Sequence, residues 1–336
     1  MSNFTFGKLS VTVVRVETSA DLPSIAAQMA RKPPSYEGLV PGWGTPWDDE
    51  DGLGNFTGPP PTGAPVVDPE AAEWPSRVIG RLYYWTPDRT ARRFVQSDQP
   101  GAAQRLRACD FLISTLAEGS LMVAMSSRNR AEQDRTFEPA LRSLIQSVDS
   151  QAQIQMDTSP IDLNDPDIYM WMLNRLGSNP HLGQGLELLS VREITSRDPL
   201  ARGANLSQGV DLTRRELQAL ITNDSIEFGP AKVVLHHEET DATFDFEVFI
   251  DGGFTVHTTE THYRESMARS AVGWRAVADL SYRVIPALRD AYRADNELWK
   301  DVDRRDFIAQ CLVGLRGTAV NTDLIVCDHC GERVHA

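Results

Sequence analysis

Residues 231–260 read AKVVLHHEETDATFDFEVFIDGGFTVHTTE, and this stretch predicts a meander of three antiparallel strands joined by tight turns. We expect strands over 231–239, 243–250 and 254–260, with Asp241-Ala242 as the first turn and a glycine-containing loop at 251–253. In that register the apolar residues share one face: Val233, Leu235, Phe244, Phe246, Val248, Ile250, Phe254 and Val256. Such a uniformly apolar face predicts a sheet surface that is buried.

The other face of the meander collects histidines and acids. The same register places Glu247 opposite both His236 and His257, with Asp245 in the neighbouring row. Cross-strand neighbours lie about 5 Å apart, so two imidazoles flanking a carboxylate can bind a divalent metal or carry out acid–base chemistry. The candidate catalytic residues are therefore His236, Glu247, His257 and Asp245. The alternative is a row of favourable charge pairs on a solvated face, and no lysine follows Glu247 as a restriction-type nuclease core requires.

Composition narrows the class of protein. The 336 residues carry a net charge of −14, with 41% apolar and 24% charged residues, as globular proteins do. This charge argues against sequence-blind wrapping of DNA by the whole surface. No apolar run is long enough for a transmembrane helix, and the start lacks the layout of a signal peptide, which predicts a cytoplasmic protein with no membrane partner.

The order of predicted elements indicates an α+β fold with two lobes. An N-terminal α/β lobe is expected over 1–150, with a proline- and glycine-rich insertion at 33–75 that cannot hold regular structure. The aromatic residues of the insertion, which include Trp43 and Trp74, are expected to pack on this protein or on a partner. A C-terminal lobe over 151–300 holds the meander and several helices, and 301–336 forms a further helix and a cysteine-rich tail.

Within the lobes, periodicity and end signals predict individual elements. In the first lobe we expect a hairpin over 77–96 turning at Pro87-Asp88, a helix over 100–117 and a buried strand over 120–125. In the second lobe, Asp165-Pro166 begins a helix, 186–194 forms a strand, and Thr213 with Glu216 forms a capping box.

The tail, IVCDHCGERV, has the Cys-x2-Cys-Gly form of half a zinc site. A structural zinc ion needs four ligands, and the candidates are Cys327, Cys330, Cys311 and His335. Two alternatives stay open at this point: a second chain completes the site, or the two thiols are free in a frayed tail.

Arginines are concentrated in the first lobe. From Arg77 to Arg142 the chain has eleven arginines and seven carboxylates. The hairpin carries aromatic rings on which bases can stack, and the hairpin and the later SSRNR loop carry arginines that can bind phosphates. This combination predicts a surface for nucleic acid or another anionic partner. The candidate residues are Tyr84, Arg89, Arg92, Arg93, Arg128 and Arg130. The alternative is that strand alternation turns half of the aromatic residues inward and that nearby acids pair with the arginines.

These observations favour a non-enzymatic accessory subunit of a cytoplasmic complex. Its expected partners are other protein subunits and, through the arginine-rich hairpin, nucleic acid, as in a bacterial genome-maintenance or antiviral defence assembly. The competing hypothesis is a metal-dependent hydrolase or nuclease that uses the histidines and acids of the meander.

Overall fold

The computed structural model describes residues 7–35, 37–45, 63–70, 74–90, 103–116, 119–198, 203–207, 209–267, 269–320, 325–326 and 333–334. Most of the regular structure in these residues is β-strand, and fourteen of the described strands are hydrogen-bonded to antiparallel neighbours. The predicted α+β fold with two balanced lobes is therefore wrong, because the chain is rich in sheet. By contacts it divides into unit 1 (1–162, 251–259 and 265–283) and unit 2 (163–250, 260–264 and 284–336).

Unit 1 is built on an antiparallel sheet. Its strands are β1 (Lys8–Glu17), β2 (Gly42–Gly44), β3 (Val67–Asp68), β4 (Arg77–Pro87), β5 (Gln104–Thr115), β6 (Ser120–Met125), β7 (Gln153–Gln155) and β13 (Phe254–His257). They pair in the order β13-β1-β6-β5-β4-β2, with β3 also beside β4 and β7 also beside β1. Four helices belong to this unit: α1 (Leu22–Ala30), α2 (Arg130–Glu132), α3 (Glu138–Gln146) and α6 (Arg269–Asp279).

Helices α1 and α3 contribute to the apolar core on one face of this sheet. Helix α1 begins after Asp21, because the Asp21 carboxylate accepts a hydrogen bond from the Ser24 backbone N–H at 2.8 Å. Trp43, from the proline-rich insertion, packs edge-on against Phe111 with ring centroids 4.9 Å apart. Of the two predicted alternatives, packing on this protein or on a partner, Trp43 shows the first.

The prediction of a helix over 100–117 is wrong, because residues 104–115 form β5. Strand β5 is buried from Ala108 to Ser114 on both of its faces, so this run, ACDFLIS, lacks the alternation of apolar and polar residues that marks a strand buried on one face. Periodicity cannot distinguish such a run from a buried helix. The described partner of β4 is β5, with Arg81 facing Asp110. The predicted return strand over 90–96 lies, apart from Thr90, outside the described residues.

Unit 2 contains a second set of antiparallel strands and the remaining helices. The strands are β8 (His181–Gly183), β9 (Leu186–Arg197), β10 (Gly203–Leu206), β11 (Glu227–His237), β12 (Ala242–Val248) and β14 (His262–Tyr263). Four of them pair in the order β10-β9-β11-β12, with β8 beside β9 and β14 beside β12. The helices are α4 (Asp167–Ser178), α5 (Arg215–Ile221), α7 (Ile285–Leu298) and α8 (Arg304–Val320), and the tail contains β15 (Ile325–Val326) and β16 (Arg333–Val334).

The two predicted helix starts in unit 2 differ in outcome. Helix α4 is confirmed, and the Asp165 carboxylate accepts a hydrogen bond from the Asp167 N–H at 3.0 Å. The capping box of Thr213 and Glu216 is wrong, because Arg214 precedes the first turn of α5 without a side-chain cap. Within the described ranges, no helix is both long and apolar enough to cross a bilayer.

Candidate functional site

The register predicted for the meander is wrong by four residues. Residues 238–241 form the connection between β11 and β12, so that His236 faces Thr243 and Glu247 faces Lys232. Asp241 takes a left-handed conformation in this turn, with φ of 45°. Because the displacement is an even number of residues, each side chain keeps its predicted face, and Phe244 and Phe246 are still fully buried.

The four candidate catalytic residues are distributed over different surroundings. His236 and Glu247 are half-buried on unit 2, and the His236 Nδ1 lies 3.5 Å from the Thr243 hydroxyl. His257 belongs to unit 1, where it faces Lys8 across β13 and β1. In the part of the chain that the structure describes, no group of three or more histidines, cysteines and acids is arranged to bind a metal ion.

Asp245 lies in a compact group of four charged residues on unit 2. Its carboxylate is fully buried and lies 3.3 Å from the Lys232 Nζ and 2.9 Å from the Arg192 Nη1. Arg192 also forms an ion pair with Glu260. The group thus contains two cations and two carboxyl groups, and its formal charges balance.

The pKa values of the two carboxyl groups of this cluster are shifted in opposite directions. Burial raises the pKa of Asp245, and the neighbouring Glu260 raises it further against the opposing effects of Lys232 and Arg192. Desolvation acts to raise the pKa of Glu260, but the hydrogen bond with Asp245 and the two cations outweigh it and lower that pKa. A charge-balanced cluster of this kind is typical of a structural ion-pair network.

The predicted nucleic-acid residues are not assembled on one described surface. The Tyr84 side chain is only 2% exposed and packs edge-on against Phe137 at 5.4 Å, so neither face of its ring is open to a base. Burial is also the main reason that the pKa of Tyr84 is raised. Arg89 is exposed beyond the end of β4, and Arg92 and Arg93 lie outside the described residues.

The two arginines of the SSRNR loop are paired with acids. Arg128 lies 3.0 Å from the carboxylate of Asp251, and Arg130 lies 3.0 Å from that of Asp157. They line a cavity of about 290 Å³ together with these acids and Gln133. Because the acids match the arginines in charge, this cavity presents no excess positive charge to an anion.

A second cavity in unit 1 does present an excess of positive charge, and we call it the basic groove. It has a volume of about 380 Å³ and is lined by Lys32, Trp43, Leu82, Tyr84, Arg135 and Pro139, among others. The Lys32 Nζ donates hydrogen bonds to the Ser143 carbonyl oxygen at 3.0 Å and to its hydroxyl at 3.1 Å, which holds the ammonium at the groove. No acid is among the described residues that line it.

Arg135 has no carboxylate partner among the residues that the structure describes, although three acids are near it in sequence. Those acids pair elsewhere: Glu132 with Arg107 at 3.1 Å, Asp134 with Arg130 at 3.0 Å, and Glu138 with Arg142 at 2.6 Å. Sequence reasoning did not single out Lys32 or Arg135. In the sequence, the negative charges of these three acids offset the positive charge of Arg135, so a count of charges along this stretch gives no sign of an unpaired arginine.

The predicted zinc ligands lie mostly outside the described residues, namely Cys327, Cys330 and His335. Strands β15 and β16, which flank 327–332, pair antiparallel with Ile325 facing Val334. Cys311 is buried on α8, and burial raises the pKa of its thiol. Zinc binds the thiolate, so binding at Cys311 would require loss of the thiol proton.

Comparison with known proteins adds little to these geometric observations. Neither the family models nor the curated proteins give a match to the chain. A solved structure described as the di-domain ARO/CYC StfQ from the steffimycin biosynthetic pathway aligns over 93% of this chain and 99% of its own, at 8% identity and a TM-score of 0.15. A likeness this weak carries no argument about fold or function.

Proposed function

We propose that the protein is a non-enzymatic accessory subunit of a multiprotein complex and that its basic groove binds nucleic acid. The observation that carries this proposal is the pair of cations, Lys32 and Arg135, in a groove whose described lining contains no acid. An ammonium point charge and a guanidinium fork suit the phosphates of a strand. A local basic site is needed for such binding, because the chain as a whole carries a net charge of −14.

The walls of the groove favour a single strand over a duplex. Trp43, Leu82 and Tyr84 form a recess rather than a raised ridge, and Pro139 lies at its margin. A recess of this size accepts a sugar or the edge of an unstacked base, which a duplex does not present, without stacking on the buried Tyr84 ring. Arg89, Arg92 and Arg93 remain candidates for further contacts with phosphates.

We expect the double variant Lys32→Met/Arg135→Gln to bind short single-stranded DNA more weakly and with less dependence on salt. Each phosphate contact with a single strand contributes about 0.7 to the slope of log affinity against log salt concentration, so losing both lowers the slope by about 1.4. Fluorescence anisotropy with a labelled oligonucleotide across a potassium chloride series measures this slope.

The matched control is Lys8→Met/Arg264→Gln, which removes the same charges from exposed positions outside the groove. This control should keep the wild-type slope. The nucleic-acid proposal is wrong if the wild-type chain shows no salt-dependent binding, or if the two double variants lose affinity equally.

An exposed apolar surface on unit 2 supports the subunit part of the proposal. Large apolar side chains remain exposed on and between α7 and α8: Leu298, Val302, Leu312 and Val313. We infer that these side chains belong to a protein–protein interface, and other protein subunits are the partners that would cover them.

For the tail, we propose a structural zinc ion held by Cys327 and Cys330, with the remaining ligands drawn from His335, Cys311 or a second chain. We expect Cys327→Ser/Cys330→Ser to lose the bound zinc, because serine cannot supply a thiolate. His236→Ala/His257→Ala should retain the zinc, and metal analysis of the purified variants measures both. Loss of metal from the histidine variant alone would contradict the zinc proposal.

A further inference from the structure

A third cavity in unit 1 has a different chemistry from the basic groove, and we call it the tryptophan cavity. It encloses about 450 Å³ where helix α6 lies over β4 and β5. Its walls are Trp74, Ile79, Leu112, Met267, Trp274 and Ala278. Pockets for small molecules span roughly 300–1,000 Å³ and are mostly apolar, and this cavity has both properties.

The apolar walls remain partly uncovered. Ile79 and Leu112 face each other across β4 and β5, and Leu112 is buried whereas Ile79 is only half-buried. Trp74, Met267 and Trp274 are also half-buried. When an apolar ligand covers such side chains, their apolar surface is removed from water, and this burial stabilises the complex.

Trp74 is held in a fixed orientation at the cavity wall. Its indole N–H donates a hydrogen bond to the buried Asp279 carboxylate at 3.0 Å. The Arg77 guanidinium lies 4.7 Å from the centroid of the indole, and that of Arg275 lies 5.9 Å from it, both within the range of cation–π attraction. A side chain restrained in this way loses little entropy when a ligand binds, so the wall is preorganised.

The charges at the margin of the cavity are already compensated. Arg77 forms an ion pair with Asp68 at 2.9 Å, and Arg275 forms one with Glu265 at 3.0 Å. Arg275 also lies 3.7 Å from Asp279. An ionised ligand would give up its hydration without gaining an unsatisfied countercharge, which is unfavourable against apolar walls.

From these observations we propose that the tryptophan cavity binds a neutral, planar small molecule with an aromatic ring system. Two indoles favour stacked or edge-on contact with another ring. Because the charged residues at the margin already have partners, the ligand needs no ionic group. The volume of the cavity limits the ligand to a small molecule. This site is separate from the basic groove, so the proposal stands independently of nucleic-acid binding.

The experiment compares 2-naphthylmethanol with its anionic counterpart, 2-naphthoate, and with the non-planar cyclohexylmethanol, by isothermal titration calorimetry on the full chain. Ala271→Phe places a ring into the cavity from an exposed position on α6, and Ala294→Phe makes the same change at an exposed position on α7. We expect saturable binding of 2-naphthylmethanol that Ala271→Phe weakens by about tenfold or more and that Ala294→Phe leaves unchanged.

A second variant tests the role of the indole without filling the cavity. Trp274→Leu keeps an apolar wall, and we expect it to reduce the preference for 2-naphthylmethanol over cyclohexylmethanol. Thermal unfolding followed by circular dichroism establishes that each variant is folded. Three results would each overturn the proposal: no saturable binding of 2-naphthylmethanol by the wild-type chain, equal binding by Ala271→Phe, or an Ala271→Phe-sensitive site that prefers 2-naphthoate.

Discussion

Replacing either Arg81 or Asp110 alone by an apolar residue is expected to destabilise unit 1 by about 3–5 kcal/mol, the cost of leaving a buried charge without its partner. The two residues face each other across β4 and β5, and both side chains are fully buried. The Arg81 Nε and Nη2 donate to the two carboxylate oxygens of Asp110 at 2.5 and 2.9 Å. Removal of one residue leaves the other charged in a medium that cannot solvate it.

The double variant Arg81→Met/Asp110→Leu should recover most of this loss. Buried ion pairs can be replaced by apolar residues of similar volume at little cost, because the desolvation penalty disappears together with the attraction. Urea denaturation, followed by hydrogen exchange of the β4 and β5 amides, compares the single and double variants. Two units need not unfold together, so exchange by segment is more informative than one global midpoint.

An exposed ion pair provides the matched control for this experiment. Arg130 and Asp134 form an ion pair with side chains 57% and 51% exposed, and removing either charge should cost less than about 1 kcal/mol. If Arg81→Met or Asp110→Leu costs no more than the corresponding change in the exposed pair, the ion pair between β4 and β5 does not stabilise the sheet as proposed.

Strands with alternating apolar and polar residues were predicted, and so was β6, which is buried on both faces, whereas β5 was mistaken for a helix. In β11 and β12 the alternation of apolar and polar residues has a period of two, so that Val233 and Phe244 were assigned to the buried face from sequence alone. In β5, Cys109 and Asp110 lie on opposite faces and both are buried, so alternation is absent. The sheet-rich fold was missed because a run of this kind is also compatible with a helix.

Register and charge pairing were beyond what the sequence specifies. A shift of four residues between β11 and β12 leaves every side chain on its predicted face, so the apolar pattern did not distinguish the predicted register from the observed one. The predicted row of His236, Glu247 and His257 depended on that register. Arg135 gives the converse case, because its sequence neighbours suggested neutralisation and only the fold assigns those acids to other arginines.

The second large effect is expected at Trp171, where helices α4 and α7 meet in unit 2. The Trp171 side chain is 1% exposed and packs edge-on against Tyr292 with centroids 5.5 Å apart. Its indole N–H donates a hydrogen bond to the Asp295 carboxylate at 3.1 Å. Helix α4 was predicted from sequence, but its contact with a helix more than a hundred residues later was not, since no local signal specifies such a partner.

We expect Trp171→Ala to destabilise unit 2 by about 3–5 kcal/mol, as truncation of a buried aromatic residue does. Trp171→Phe keeps the ring contact and loses the hydrogen bond to a charged acceptor, so its cost should be about 1.5–3 kcal/mol. Hydrogen exchange should show α4 and α7 opening together in Trp171→Ala while the amides of β5 keep their protection.

Leu298→Ala is the control, because this residue is also on α7 but is 58% exposed, and its truncation should change stability by less than about 0.5 kcal/mol. Faster exchange in α4 without a change in α7 would contradict the inference that Trp171 holds the two helices together. Joint opening of the two helices would instead show that the position of α7 depends on Trp171. Leu298, near the carboxyl end of α7, would then be held in place for partners by this contact. The apolar surface proposed for protein partners would then depend on the same buried tryptophan.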